Sequence, residues 1–416
     1  MPKANSKNNL RIPYGLSVYD NREIQRVVRV LKEHRSNMGA ETKEFEEKVA
    51  KLFGTKFGVM VNSGSSANLI ATELLGLKPG DEVITPVLTF STTVAPMIMK
   101  GAIPVFVDVR QESYQINEDE IEKAINRKTK ALFIPLLLGN LPDLKKIKQI
   151  AKKHDLKLVI DSCDTLGPLY DGKPMGYFAD IVTNSFFGSH AITAGGNGGM
   201  VLLNKPVDRD KAKVLRGWGR SSSLFGETED VDTRFSLKID GIRYDAKFIF
   251  QEVGYNLLPM EIGSAFGNEQ LKKFPKFKKT RQKNFRELSK FFSRFEDLLY
   301  LPKELSKTQT AWHVYPLTIK DKRIDRIELM KYLEANNIQT RPIFTGNILR
   351  QPGFNKIKHN SKTNKFPVAD QIMANGILIG VHHGMEEKHL KKMKEIFEDF
   401  LLTFQNSQKR RASVIN

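Results

Sequence analysis

Between about residue 40 and residue 205 the chain alternates short apolar runs with stretches of helical spacing. Residues 57–61, 82–85, 103–109, 131–138, 157–160, 181–185 and 199–204 are rich in Val, Ile and Phe, which predicts strands. Residues 67–75, 91–100, 118–124 and 143–154 lie between them and carry apolar side chains at helical intervals. Strands apolar on both sides, each followed by a helix, predict a parallel sheet covered on both faces. Ligands of such sheets bind in the loops at the carboxyl ends of the strands.

Residues 206–270 read as a long excursion with few strong elements, including the Ser- and charge-rich 221–234. Beyond it the pattern predicts a helix over 279–295, a strand over 312–319, a helix over 325–335 and a strand over 340–343. A strand over 378–381 and a last helix over 387–404 follow. The expected organisation is an N-terminal arm and helix (1–35), a large α/β domain (36–270), a smaller α+β domain (271–405) and a disordered tail (406–416).

Of the 416 residues, 40% are hydrophobic and 27% charged, as in soluble globular proteins. The net charge of +19 is scattered, and 272–286 interleaves it with Phe274, Phe277 and Phe285 as an amphipathic helix with a basic face. That distribution argues for a solvated surface over a nucleic-acid partner, and a phosphorylated small substrate accounts for part of the excess. Cys163 is the only cysteine, which excludes an intramolecular disulfide and any zinc or iron–sulfur site needing several thiolates from one chain. No apolar run approaches the roughly 20 residues that span a bilayer, and residues 1–9 lack the apolar core of a signal peptide. The expected location is the cytoplasm.

Two strand-end loops carry candidate chemistry. In Val61-Asn62-Ser63-Gly64-Ser65-Ser66-Ala67-Asn68, Gly64 permits a tight turn, and small hydroxyl residues leave helix-opening N–H groups accessible to an anion. The same residues also suit an ordinary Ser cap. In Ile160-Asp161-Ser162-Cys163-Asp164 an acid follows a buried strand, either as a helix cap or as partner to a protonated ring nitrogen. Cys163 beside it reads as packing.

These segments occur in order with Thr89-Phe90, Pro104-Val105-Phe106-Val107-Asp108, Ser185-Phe186 and Gly254-Tyr255-Asn256. Together they resemble the DegT/DnrJ/EryC1/StrS sugar aminotransferases, of the fold-type I pyridoxal-phosphate architecture, from about residue 10 to 405. The resemblance implies a large domain with a mixed, mostly parallel sheet between helices. It implies that Gly64, Ser65 and Ser185 hold the cofactor phosphate, Phe90 stacks on the pyridine ring and Asp161 pairs with its nitrogen. Asp164 takes the position near the cofactor oxygen, and Asn256 reaches the phosphate of the neighbouring subunit of a homodimer. Arg220, His313, Arg341 and Arg350 lie in segments similar to substrate-contacting regions.

One departure redirects the chemistry. The family's Schiff-base lysine is replaced by His190 in Ser185-Phe186-Phe187-Gly188-Ser189-His190, and no lysine occurs between Lys173 and Lys205. An imidazole cannot form the stable imine of a primary amine, but it transfers protons. The cofactor is then expected without a covalent link, most naturally as pyridoxamine phosphate. The substitution resembles the family's 3-dehydratase branch, which deoxygenates nucleotide-linked 4-keto-6-deoxyhexoses in polysaccharide and O-antigen biosynthesis. An aminotransferase using His190, or an inactive cofactor-binding paralogue, are the alternatives.

Resemblance in Gly139-Asn140-Leu141-Pro142-Asp143-Leu144, Gly217-Trp218-Gly219-Arg220 and 345–352 is to the iron–sulfur version that acts on CDP-4-keto-6-deoxyglucose. Ser221-Ser222-Ser223 stands where that version has cysteines. The expectation is therefore no cluster, and a mechanism like the cluster-free version, with glutamate as amino donor. A second departure, Gly195-Gly196-Asn197-Gly198-Gly199, replaces the usual Gly-Glu-Gly-Gly and loses an acid.

Overall fold

A computed structural model describes residues 10–224 and 230–415; residues 1–9 of the N-terminal arm, 225–229 of the excursion and Asn416 lie outside the described residues. The central sheet is built from β1 (Phe57–Val61), β2 (Glu82–Pro86), β3 (Ile103–Val107), β4 (Thr129–Pro135), β5 (Lys157–Asp161), β6 (Ile181–Ser185) and β7 (Gly199–Leu203). Their order is β1-β7-β6-β5-β4-β2-β3. β2 to β6 pair in parallel, whereas β7 runs antiparallel to both β1 and β6. The sheet is thus mixed and mostly parallel, as the family resemblance implies, with β7 departing from the parallel run that the apolar pattern alone suggests. The loop from β6 to β7 holds no crossover helix, and without one the chain returns antiparallel.

Buried clusters fill both faces. Phe45, Phe53, Ile134, Ile160 and Phe186 pack on one side, and Ile70, Val83, Phe133 and Val201 on the other. A third cluster, centred on Trp312, Tyr315 and Phe292, joins the smaller α+β unit to the first. That unit holds a three-stranded antiparallel sheet of Leu299–Tyr300, Tyr315–Ile319 and Gly376–Ile379.

Several expectations are corrected here. The strand expected over 131–138 ends at Pro135 and gives way to the turn Leu137–Gly139, with Leu138 at φ +63°. The strand over 312–319 starts only at Tyr315, because the Trp312 and His313 carbonyls turn to Arg281. Residues 340–343 make a single bridge, Arg341 to Leu378, and Pro342 supplies no N–H to extend it. The excursion 206–270 contains a well-formed helix, Pro206–Arg216, opened by a proline at the first turn.

The long helix starts at Glu261, not near 279, since Phe274 and Phe277 bury into the core. It runs to Phe292 and crosses the position 270/271 where a domain boundary was expected. The last helix, Glu387–Ile415, continues through most of the expected disordered tail. Among the described residues, no helix is long and apolar enough to cross a membrane.

Candidate active site

A cavity of about 520 Å³ opens where the carboxyl ends of β1, β2, β4, β5 and β6 converge. Its lining includes Gly64, Ser65, Phe90, Asp161, Asp164, Ser185, His190, His313 and Arg341. No lysine is among the residues that line it.

The anion end is built by β1 running into the helix Gly64–Leu74. Ser63 caps that helix by accepting the Ser66 N–H at 3.1 Å, so the free N–H groups of the first turn face outward. A side chain on Gly64 would place its Cβ 2.6 Å from Ser185 Cβ and 2.9 Å from Cys163 Sγ. Glycine is therefore what lets the helix start, the β6 terminus and the β5 loop meet at one point. Free N–H groups, a helix dipole and the Ser65 and Ser185 hydroxyls together suit a phosphate.

Asp161 sits at the end of β5, 6% exposed. It accepts from Asn68 Nδ2 at 2.8 Å, Thr93 Oγ1 at 3.0 Å and the Cys163 N–H at 3.1 Å. Asn68 is itself fixed by the Thr183 hydroxyl at 2.7 Å. Three neutral donors orient the carboxylate and leave acceptor capacity for a fourth, cationic partner. Asn68 and Thr93 were missed in the sequence, although helical spacing places them one turn beyond Gly64 and Phe90 respectively. Phe90, half exposed, meets Phe344 edge to face at 6.0 Å and forms an aromatic wall. An anion cradle, an aromatic wall and a fixed carboxylate in one pocket fit a phosphorylated, protonated pyridine.

His190 lies on the loop between β6 and β7, its own N–H bonded to the Phe187 carbonyl. Its Nδ1 is 3.3 Å from the Ser185 carbonyl, which makes Nδ1 the protonated nitrogen and Nε2 the basic one. Its pKa is lowered to about 4, by burial first and with the Arg281 charge adding to it, against the Ser185 hydrogen bond and Asp161. His313 faces it, and burial and the neighbouring cationic groups hold its pKa well below the usual range. Asp164 accepts the Leu138 N–H at 2.8 Å, and burial, aided by the Asp161 charge, pushes its carboxyl up to about 7. Polar atoms of Asp164, His190 and His313 come within 4.8 Å of one another, a cluster suited to exchanging protons. Burial raises the Cys163 thiol far above its ordinary pKa, so it is no nucleophile.

The remaining expected residues separate. Arg341 lines the cavity, its guanidinium 5.0 Å above the Tyr14 ring. Arg220 does not line it: Trp218, Phe248 and Phe250 surround that guanidinium at 4.4–5.7 Å. Arg350 also lies outside, paired with Asp370 at 2.5 Å. Asn256 is exposed and bridges Gly217, outside the cavity of its own chain. In the second departure from the family pattern, Asn197 and Gly198 line the cavity, and Gly198 sits at φ +151°, beyond the reach of other residue types.

A family model described as the DegT/DnrJ/EryC1/StrS aminotransferase family matches residues 18–398. The chain is 35% identical over 401 residues to lipopolysaccharide biosynthesis protein RfbH of Salmonella typhimurium, covering 94% of this chain and 91% of that protein. It is 31% identical to GDP-4-keto-6-deoxy-D-mannose 3-dehydratase of Yersinia pseudotuberculosis, with 94% and 98% covered. Among solved structures, GDP-4-keto-6-deoxymannose-3-dehydratase with a trapped PLP-glutamate geminal diamine superposes with a TM-score of 0.83. That match has 29% identity and covers 92% of this chain and 99% of the other.

Proposed function

Because the chain belongs to the DegT/DnrJ/EryC1/StrS aminotransferase family, we propose that it is a pyridoxal/pyridoxamine-phosphate-dependent 3-dehydratase of a nucleotide-linked 4-keto-6-deoxyhexose, acting in the cytoplasm in polysaccharide or O-antigen sugar biosynthesis. The observation that carries this reading is an imidazole at the cavity where no lysine lines the wall. When bound, the cofactor supplies a primary amine for the sugar ketone and a protonated pyridine as electron sink. Asp161 would keep that ring nitrogen protonated. The Gly64–Leu74 helix start, Ser65 and Ser185 would hold the phosphate, and Phe90 would pack against the ring.

His190, neutral near pH 7, accepts a proton at Nε2. The resulting imidazolium then donates that proton to the departing C3 hydroxyl, so one group serves as base and acid in turn. The Asp164 carboxyl, whose pKa is raised to about 7, can donate near the cofactor oxygen. His313 and Arg341 face the substrate side, where a diphosphate needs donors and positive charge. With a single cysteine there is no iron–sulfur cluster to route electrons, and glutamate serves as amino donor, as the glutamate adduct of the similar dehydratase suggests.

We also propose a homodimer with shared sites. Exposed apolar side chains cluster in the excursion, with Phe250 56%, Val253 96% and Met260 64% exposed, and Asn256 sits among them. Covering that face with a second copy would carry Asn256 towards the other chain's phosphate site. The deciding experiment is mass analysis after incubation with cofactor, glutamate and a panel of CDP-, GDP- and dTDP-linked 4-keto-6-deoxyhexoses. A 3-deoxy product with released ammonia is expected. A stable aminosugar would assign the chain to transamination, and no turnover on any substrate would assign it to the inactive class.

A further inference from the structure

We infer that Arg281 is a positioning residue that clamps the His190 loop to the His313 segment and sets its charge against the imidazoles, keeping them proton acceptors. The guanidinium lies fully buried in the middle of the helix Glu261–Phe292. Nη1 donates to the carbonyls of Trp312 at 3.2 Å and His313 at 2.8 Å, and Nη2 to the carbonyl of His190 at 3.3 Å. Nε donates to Nδ1 of His383 at 3.2 Å, and the His383 ring stacks on Phe277. One side chain thus ties together the β6–β7 loop, the entry to the small-domain sheet and the segment before the last helix.

Among the described residues, Arg281 has no carboxylate within ion-pair distance, although most buried arginines need one. Carbonyls and an imidazole satisfy its N–H groups but leave its net charge uncancelled. That field acts on four histidines: His190, His313, His382 and His383. The groups facing His190 are Asp161 from β5, which favours its protonated form, and His313 and Arg281, which oppose it. Asp164, near both imidazoles, holds a proton of its own around neutral pH. Burial is the first cause that keeps these imidazoles neutral, and Arg281 is the fixed positive charge that adds to it. A charge-free clamp of the same shape would leave the base partly blocked by its own proton in weak acid.

The test compares R281Q and R281K with the parent in the full-length chain. The titration midpoint of His190 is read from its imidazole carbon and nitrogen shifts in cofactor-free protein, and the acid limb of kcat/KM is read in the loaded enzyme. R281Q should raise both by about one pH unit. R281K keeps a charge but cannot span four acceptors, so it should hold the midpoint within a few tenths while lowering kcat at least tenfold. An unmoved midpoint in R281Q, or unchanged turnover in R281K, overturns the assignment. If R281Q does not fold, R281M repeats the measurement, and loss of folding in all three variants would reduce Arg281 to scaffold and overturn it too. The turnover arm rests on the dehydratase reading; the titration arm does not, so the two fail separately.

Discussion

The imidazoles of His190 and His313 meet edge to face, with ring centroids 4.9 Å apart and an interplanar angle of 81°. Two such rings in a shared pocket disfavour double protonation, so protonating one opposes protonating the other. With His382 and His383, they make four imidazoles held below their ordinary pKa by burial.

That grouping fixes the pH dependence of stability. Below about 6.5 the unfolded chain takes up protons on these histidines while the folded chain takes up none until near pH 4. Asp164 opposes the trend, because its folded pKa of about 7 lies above the unfolded value and its contribution grows as pH falls. Burial raises the Asp108 and Glu304 carboxyls in the same sense, and the four imidazoles outweigh these three groups. Thermal melts should show the midpoint falling by on the order of 5–10 °C between pH 6.5 and pH 4, and a flat profile over that window would refute the buried-neutral assignment.

Replacing His190 by the amine it displaces should convert the pocket. H190K is expected to form a borohydride-reducible adduct with pyridoxal phosphate, absent in the parent, and to lose dehydration by about 10²–10⁴-fold. Peptide mass mapping after reduction locates the adduct. Trapping the cofactor on any residue of the parent chain would remove the basis of the mechanism.

The two arginines differ in ways kinetics can read. Arg341 lines the cavity, and R341A should raise KM for the nucleotide sugar by about tenfold or more while changing kcat little. Arg350 is engaged with Asp370 outside the cavity, and R350A should leave KM within about twofold. Steady-state kinetics on both variants checks the assignment.

Shared sites predict complementation. H190A and N256A, each inactive alone, should regain about a quarter of parental activity when mixed and re-equilibrated, since half the dimers are hybrids with one intact site each. Sedimentation establishes the dimer; activity no higher than the separate variants would confine each site to one chain.

Much of this was legible in the chain. The strands β1 and β6 and the helix Glu118–Ala124 fall where the pattern predicts them, each opening directly after a polar residue, Lys56, Asp180 and Asn117 respectively. The pocket's Gly64, Asp161 and His190 were visible because local motifs carry them. What escaped depended on distant partners. The antiparallel direction of β7 follows from where its loop returns, and Arg281 becomes notable only when carbonyls from a segment 31 residues onward reach it. Arg220 and Arg350 carried the right chemical type, but an aromatic cage and Asp370 claimed them.

The pairing of Ser185 with Gly199 across β6 and β7 means that the segment bearing His190 leaves the sheet and rejoins it at the same rung. Such a segment behaves as a cassette: its contents can be lengthened or rewritten without shifting the rails on either side. Exchanging an amine for an imidazole therefore alters the reaction while the phosphate cradle next door stays in register.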